Sequence, residues 1–327
     1  MKKAGIFLCC SLSLLLCLSG SAFAEQFLKI GTGSAGGFWI PMGATWSTLI
    51  SEQIPNLKAA STPGSSTGNL LAIQRDKMDI GYGKGFNLAE AYEGSGPFDG
   101  NRFPEVRGIA STYMEPLQII FPKSLNLKTL QDLKGKSVSP GQKSYASEIL
   151  LRYILDEIGM TYDDFKGVSY LTFSDAAMSM KDRNIDVVVI QTSCPSGSVL
   201  DVDVQMPVAL LGVPEDILQI LENKRGGLMS YTLPGSCYSG MEGRDVVTIA
   251  SPSVIFTSSK LDEETVYKVT KLMWDNAEKF QALSPVIAQE FVLQNAVLGM
   301  PAPLHKGAYK FYKEKGLAIP PRAMPVD

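Results

Sequence analysis

From residue 25 onward the apolar positions change period repeatedly, from short continuous runs to a spacing of three or four residues. Phe27-Leu-Lys-Ile-Gly31 predicts a buried strand. After a glycine-rich stretch, Phe38, Trp39, Met42, Trp46, Leu49 and Ile50 mark one face of a helix, with Pro41 in its first turn, where a missing N–H costs little. The unit returns as a strand over 57–61, a turn over 62–68 and a helix over 69–75. It returns again as a strand over 79–82, a turn over 83–85 and a helix over 87–93. Strand, Gly/Ser turn and helix in repeated succession predict βαβ units and a parallel sheet.

Two strand-like runs, 107–113 and 117–121, are interrupted at Glu115-Pro116, and a short helix over 127–135 ends on a glycine. A second βα series then starts: strand 137–139, turn 140–144, helix 145–158, strand 168–171, helix 175–181 and strand 185–190, closed by the loop 191–197. Two series predict two α/β lobes. Beyond residue 261 the pattern is mostly helical, and the runs 280–298 and 309–311 are apolar enough to pack on a lobe.

The first 24 residues carry a different signal. Met1-Lys2-Lys3 is a basic start, 6–18 is an apolar run too short to span a bilayer, and Ala22-Phe23-Ala24 fits a cleavage site. Cys17 as a lipid anchor is disfavoured by the leucines before it. Cleavage after Ala24 and export to the periplasm are expected, leaving 303 residues with 28 basic against 33 acidic side chains. A balance of −5 without a basic block excludes a nucleic-acid footprint. Cys194 and Cys237 remain after cleavage. An even count in an oxidising compartment suggests a bridge, contributing about 4 kcal/mol for a loop of that length, although two free thiols would read identically. Two Cys and a distant His are too few for zinc.

Gly31-x-Gly33-x-x-Gly36 matches the dinucleotide fingerprint, but Ala59-Ala60-Ser61-Thr62 stands where the ribose-binding acid belongs. No cofactor is expected. What remains is the physics of such loops: glycines let a backbone approach a ligand, and helix N-termini favour anions. Gly64-Ser65-Ser66-Thr67-Gly68 fits a nucleophile elbow with Ser66 as nucleophile and His305, the only histidine, as base. An exported serine hydrolase is therefore the alternative reading. Against it, Ser66 comes too early for a hydrolase sheet, and His305 lies in a Pro/Lys-rich segment that reads as solvated surface. Five loops in all (31–37, 62–68, 83–85, 139–144 and 192–196) fall at the carboxyl ends of predicted strands, where open α/β sheets bind ligands. No paired carboxylates, Cys/His pair or metal cluster accompanies them, so the site is expected to hold a ligand rather than transform it.

Ile30-Gly-Thr-Gly-Ser-Ala-Gly-Gly37, Gly64-Ser65 with Asn69, Asp79-Ile-Gly-Tyr82, Tyr113-x-Glu115-Pro-Leu117, Leu133-Lys-Gly-Lys136, Thr161-Tyr-Asp-Asp164 and Phe173-x-Asp-Ala-Ala177 resemble the TAXI family. These are solute receptors of tripartite ATP-independent periplasmic (TRAP) transporters. The likeness runs in order over most of the chain and is weakest over 192–244. It implies a two-lobed α/β periplasmic-binding-protein fold, type II-like, with a central ligand cleft. It also implies TRAP permease subunits as partners, and small organic acids or amino acids such as glutamate as ligands.

Lobe one is then 25–113 plus 251–327 and lobe two 114–250; the pattern alone leaves two sequential domains open. The ligand carboxylate is expected at Gly33, Gly36 and Gly37 and at the hydroxyls of Thr32, Ser65, Ser66 and Thr67. Phe38 with Trp39 would form an apolar wall, and Ser139, Ser144, Tyr145 and Thr192 would close from the other side. Lys84 and Lys143 depart from the family pattern and are expected to add charge that selects diacids.

Overall fold

The computed structural model describes residues 25–326. The expected signal segment, with Cys17, lies outside the described residues. The first series of units is β1 (Gln26–Gly31), α1 (Trp39–Gln53), β2 (Leu57–Thr62), α2 (Ser66–Gln74), β3 (Ile80–Lys84) and α3 (Gly85–Glu93). Strand β1 pairs in parallel with β2 on one side and β3 on the other. Residues 83 and 84, expected in a turn, continue β3, and α3 begins directly at Gly85.

A long strand, β4 (Val106–Pro122), follows. The expected break at Glu115-Pro116 does not occur, for a reason visible in the ladders. Pro116 is the last partner of Ala250 in the next long strand, and pairing with another strand begins at Leu117 opposite Gln191. The missing proline N–H falls where one partner gives way to the other. The second series comprises β5 (Ser137–Ser139), α4 (Ala146–Glu157), β6 (Gly167–Val168), α5 (Phe173–Lys181), β7 (Val187–Gln191) and α6 (Gly197–Asp203). After these come β8 (Val208–Leu211), α7 (Glu215–Lys224), β9 (Met229–Leu233) and β10 (Val246–Ser258). The expected helix over 127–135 is a short 3₁₀ turn, Leu130–Leu133.

Strands β4 and β10 run antiparallel and tie the two series together in the order β2-β1-β3-β10-β4-β7-β5-β6, with β8 and β9 added beside β4 and β10. Beyond Ala250, β10 pairs with β3; before it, with β9. The crossing point is therefore at Met114–Pro116 and Ala250–Pro252.

Buried apolar side chains follow this division. One cluster joins Leu28, Trp46, Tyr82 and Ile109 to Phe256, Phe280, Phe291 and Phe311 from the end of the chain. In the second half the alternation of a pleated strand sends Val187 and Val189 to one face and Val188 and Ile190 to the other, each covered by its own cluster. Helices α8 (Glu263–Asp275), α9 (Ala277–Gln281), α10 (Pro285–Glu290) and α11 (Lys306–Glu314) fold back onto the first half. Two indoles anchor them: Trp46 Nε1 donates to Val269 O at 3.1 Å, and Trp274 Nε1 to Tyr312 Oη at 3.0 Å. Among the described residues no helix is long and apolar enough to cross a membrane. Cys194 and Cys237, with Cα atoms 5.8 Å apart, form a disulfide between the loop after β7 and the turn after β9.

Candidate functional site

The βα loops of both halves meet at one cavity, with about 30 Å³ open to the centre of a water molecule. The first half contributes Gly33, Ser34, Gly37, Phe38, Trp39, Ser65, Ser66 and Lys84. The crossing strand adds Glu115, and the second half Tyr145, Ala146, Ser147, Phe173, Gln191 and Thr192.

The chain builds this wall largely from helix starts. Phe38 and Trp39 begin α1, Ser65 and Ser66 begin α2, Lys84 precedes α3, Tyr145 and Ala146 begin α4, and Phe173 begins α5. First-turn N–H groups have no partner within their helix. In α2 the Ser65 hydroxyl takes the N–H of Gly68 at 3.1 Å, leaving those of Ser66 and Thr67 without an intrahelical acceptor. Five N-termini converge here, each equivalent to about half a positive charge. Glu148 and Asp175 stand in the first turns of α4 and α5, so the unopposed positive field comes from α1, α2 and α3.

Lys84 does not carry the free charge expected of it. Its Nζ lies 2.5 Å from Glu115 Oε2, donates to Gln191 O at 2.9 Å, and sits 4.4 Å from the centre of the Trp39 ring. Tyr113 Oη donates to the other Glu115 oxygen at 3.0 Å. Burial pulls the lysine below its usual range and pushes the carboxyl above its own; each opposes the other's shift. The net side-chain charge lining the cavity is zero. The Ser66 hydroxyl accepts the N–H of Lys84 at 2.9 Å, which leaves its proton free to donate into the cavity. Thr192 Oγ1 and Gln191 Oε1 are buried with no protein partner.

Of the expected site residues, Gly33, Gly37, Phe38, Ser65, Ser66, Lys84, Tyr145 and Thr192 lie together here. The others do not. Thr32 donates its hydroxyl to Thr62 O at 2.7 Å, a strand-end bond, and Thr67 is buried away from the lining. Gly36, with φ of 88°, packs against the second half, where an added Cβ would stand 2.6 Å from Ser174 Oγ. Ser139 is buried beneath the lining, and Lys143 and Ser144 are exposed to solvent. Ser144 gives its N–H to Glu148. The two halves touch through Ser34 Oγ, which donates to Gln142 Oε1 at 3.0 Å.

Sequence reasoning passed over Ser34, Glu115, Ala146, Ser147, Phe173 and Gln191. Glu115 and Phe173 stood inside the quoted motifs, and Gln191 opened a named loop, so position marked them where chemistry did not. Trp39, expected on the apolar face of α1 and beside Phe38 in the cleft wall, lines the cavity, and its indole N–H donates to Ser253 Oγ at 2.8 Å.

The Ser66–His305 pair is not assembled. His305 is not solvated but 3% exposed, capping α11: Nδ1 accepts the Gly307 N–H at 3.2 Å, and Nε2 donates to Leu261 O at 2.9 Å. Both ring nitrogens are committed, and the imidazole lines a different cavity from Ser66.

The family described as NMT1-like matches residues 30–316. PhnD1 from Prochlorococcus marinus, solved with methylphosphonate, aligns at 10% identity over 82% of this chain and 92% of the other, with a TM-score of 0.52. A binding-protein component of an ABC phosphonate transporter from Pseudomonas aeruginosa aligns at 14% identity over 82% and 80%, with a TM-score of 0.50. The fold is thus the α/β arrangement of periplasmic solute-binding proteins, with the cavity between its two sets of βα loops.

Proposed function

The chain belongs to the NMT1-like family, and from that premise we propose that it is a non-catalytic, extracytoplasmic solute receptor. It captures a small organic anion and delivers it to a membrane permease. One observation carries this reading: five helix N-termini and the unpartnered hydroxyl of Thr192 surround a cavity whose side chains have no net charge. Such a field suits an anionic group.

The anion is held by the free N–H groups at the starts of α2 and α4, by Gly33, and by the hydroxyls of Ser66 and Thr192; the Gly37 N–H is spent on Ser34 O. Charge-assisted bonds contribute about 1.5–3 kcal/mol each. Two or three contribute about 3–9 kcal/mol before the cost of association, so a micromolar affinity also draws on burial of the ligand's apolar part against Phe38, Trp39 and Phe173. Residues 25–113 with 251–327 form one lobe and 114–250 the other. The hinge lies where β4 and β10 cross, and the ligand bridges the two sides. The TAXI-like motifs favour a TRAP permease as the recipient, and the leader over 1–24 favours a periplasmic location.

Calorimetric titration of the refolded protein with short organic acids tests the reading. One-to-one binding in the micromolar range or tighter is expected, weakened about tenfold by Ser66→Ala. Absence of binding to every acid, or chemical conversion of one of them, would refute it.

A further inference from the structure

The cavity contains a buried ion pair that simple anion capture does not require. Lys84 and Glu115 are 5% and 2% exposed, and they come from different segments, the end of β3 and the crossing strand β4. The ammonium is enclosed on three sides, by the Glu115 carboxylate at 2.5 Å, the Gln191 carbonyl at 2.9 Å and the Trp39 ring at 4.4 Å. Tyr113 Oη, donating to the far carboxylate oxygen, fixes Glu115 in that position.

A second carboxylate on a ligand would meet a cation already neutralised, beside a carboxylate that repels it. A single oxyanion, by contrast, is served by the N-termini of α1, α2 and α3, whose first turns hold no acidic side chain. Next to them Phe38, Trp39 and Phe173 offer apolar surface to the rest of the ligand.

We infer that Glu115 is a specificity-determining residue: by holding Lys84 in this pair, it restricts the site to singly charged oxyanions with an apolar body. The inference rests on the receptor reading and narrows its ligand. It also reverses the diacid preference expected from Lys84 read alone.

The experiment compares butanoate with butanedioate, equal in chain length and different in charge, by titration calorimetry on refolded protein. The wild type should prefer butanoate by about tenfold or more. Glu115→Gln frees the ammonium as a second anchor and should lower that ratio by about tenfold or invert it. If this variant does not fold, the double variant Lys84→Met with Glu115→Gln decides, because it removes both charges and keeps an acceptor for Tyr113. Retained butanoate binding in the double variant, with the ratio lowered because the repelling carboxylate is gone, supports the inference; an unchanged ratio overturns it, as does loss of butanoate binding, since Lys84 would then be the anchor. Equal binding of both acids by the wild type, or an unchanged ratio in Glu115→Gln, overturns the inference and leaves the receptor reading standing. Binding of neither acid removes the organic-anion reading itself.

Discussion

Asn69 is where a small change should do disproportionate damage. The side chain is 1% exposed and its amide donates twice, to Thr32 O at 2.9 Å and Tyr82 O at 2.8 Å. It therefore ties the residue after β1 to the middle of β3. Gly31 and Gly64 close around it so tightly that a Cβ on either would overlap the Asn69 amide oxygen. Asn69→Ala removes two hydrogen bonds worth about 1 kcal/mol each, and it leaves two buried carbonyls short of a partner at a further cost of about 1 kcal/mol or more. The expected destabilisation is about 2–4 kcal/mol, measured by urea unfolding with the slope unchanged. Asn69→Asp should be worse, because it turns a carboxylate toward two carbonyl oxygens. A loss below about 1 kcal/mol in Asn69→Ala would show that the glycines, not the amide, set the loop geometry.

Three further outcomes are expected. His305 is held neutral by burial, with its pKa below the usual histidine range, so the unfolded chain takes up a proton first as pH falls. Its contribution should be constant above about pH 6.5 and decline below it; the Glu90, Glu115 and Glu290 carboxyls, raised by burial, act with the opposite sign, so the effect is read as the difference between wild type and His305→Asn across pH 5–8. Opening the Cys194–Cys237 bridge, by Cys194→Ser with Cys237→Ser, should cost about 4 kcal/mol for a separation of 43 residues, read as a lowered urea midpoint under oxidising conditions. Trp39→Phe keeps a ring near Lys84 but loses the bond to Ser253; ligand affinity should fall about tenfold by calorimetry, with stability changing by about 1 kcal/mol.

The local pattern exposed the βα units because each one switches period sharply at a Gly/Ser turn, and the helix starts that line the cavity follow from those turns. What the pattern hid was long-range. Nothing near Glu115 in the chain reveals that Lys84 lies against it, because β10 inserts between β3 and β4 and brings them to a common crossing point. The segment 208–233, with two short strands around one helix, gave no clear signal: β9 alternates half-buried and exposed positions and β8 is four residues long. Lys143 looked equivalent to Lys84 in its turn. Only packing separates them, one enclosed and the other in solvent.

Native mass spectrometry of the protein, as purified and after addition of short organic acids, tests the central claim most directly. The account predicts one small organic anion per chain, lost on denaturation with its skeleton intact, and a weaker complex in Ser66→Ala. A chain that stays bare in the presence of every acid, or that releases a chemically altered one, would contradict it.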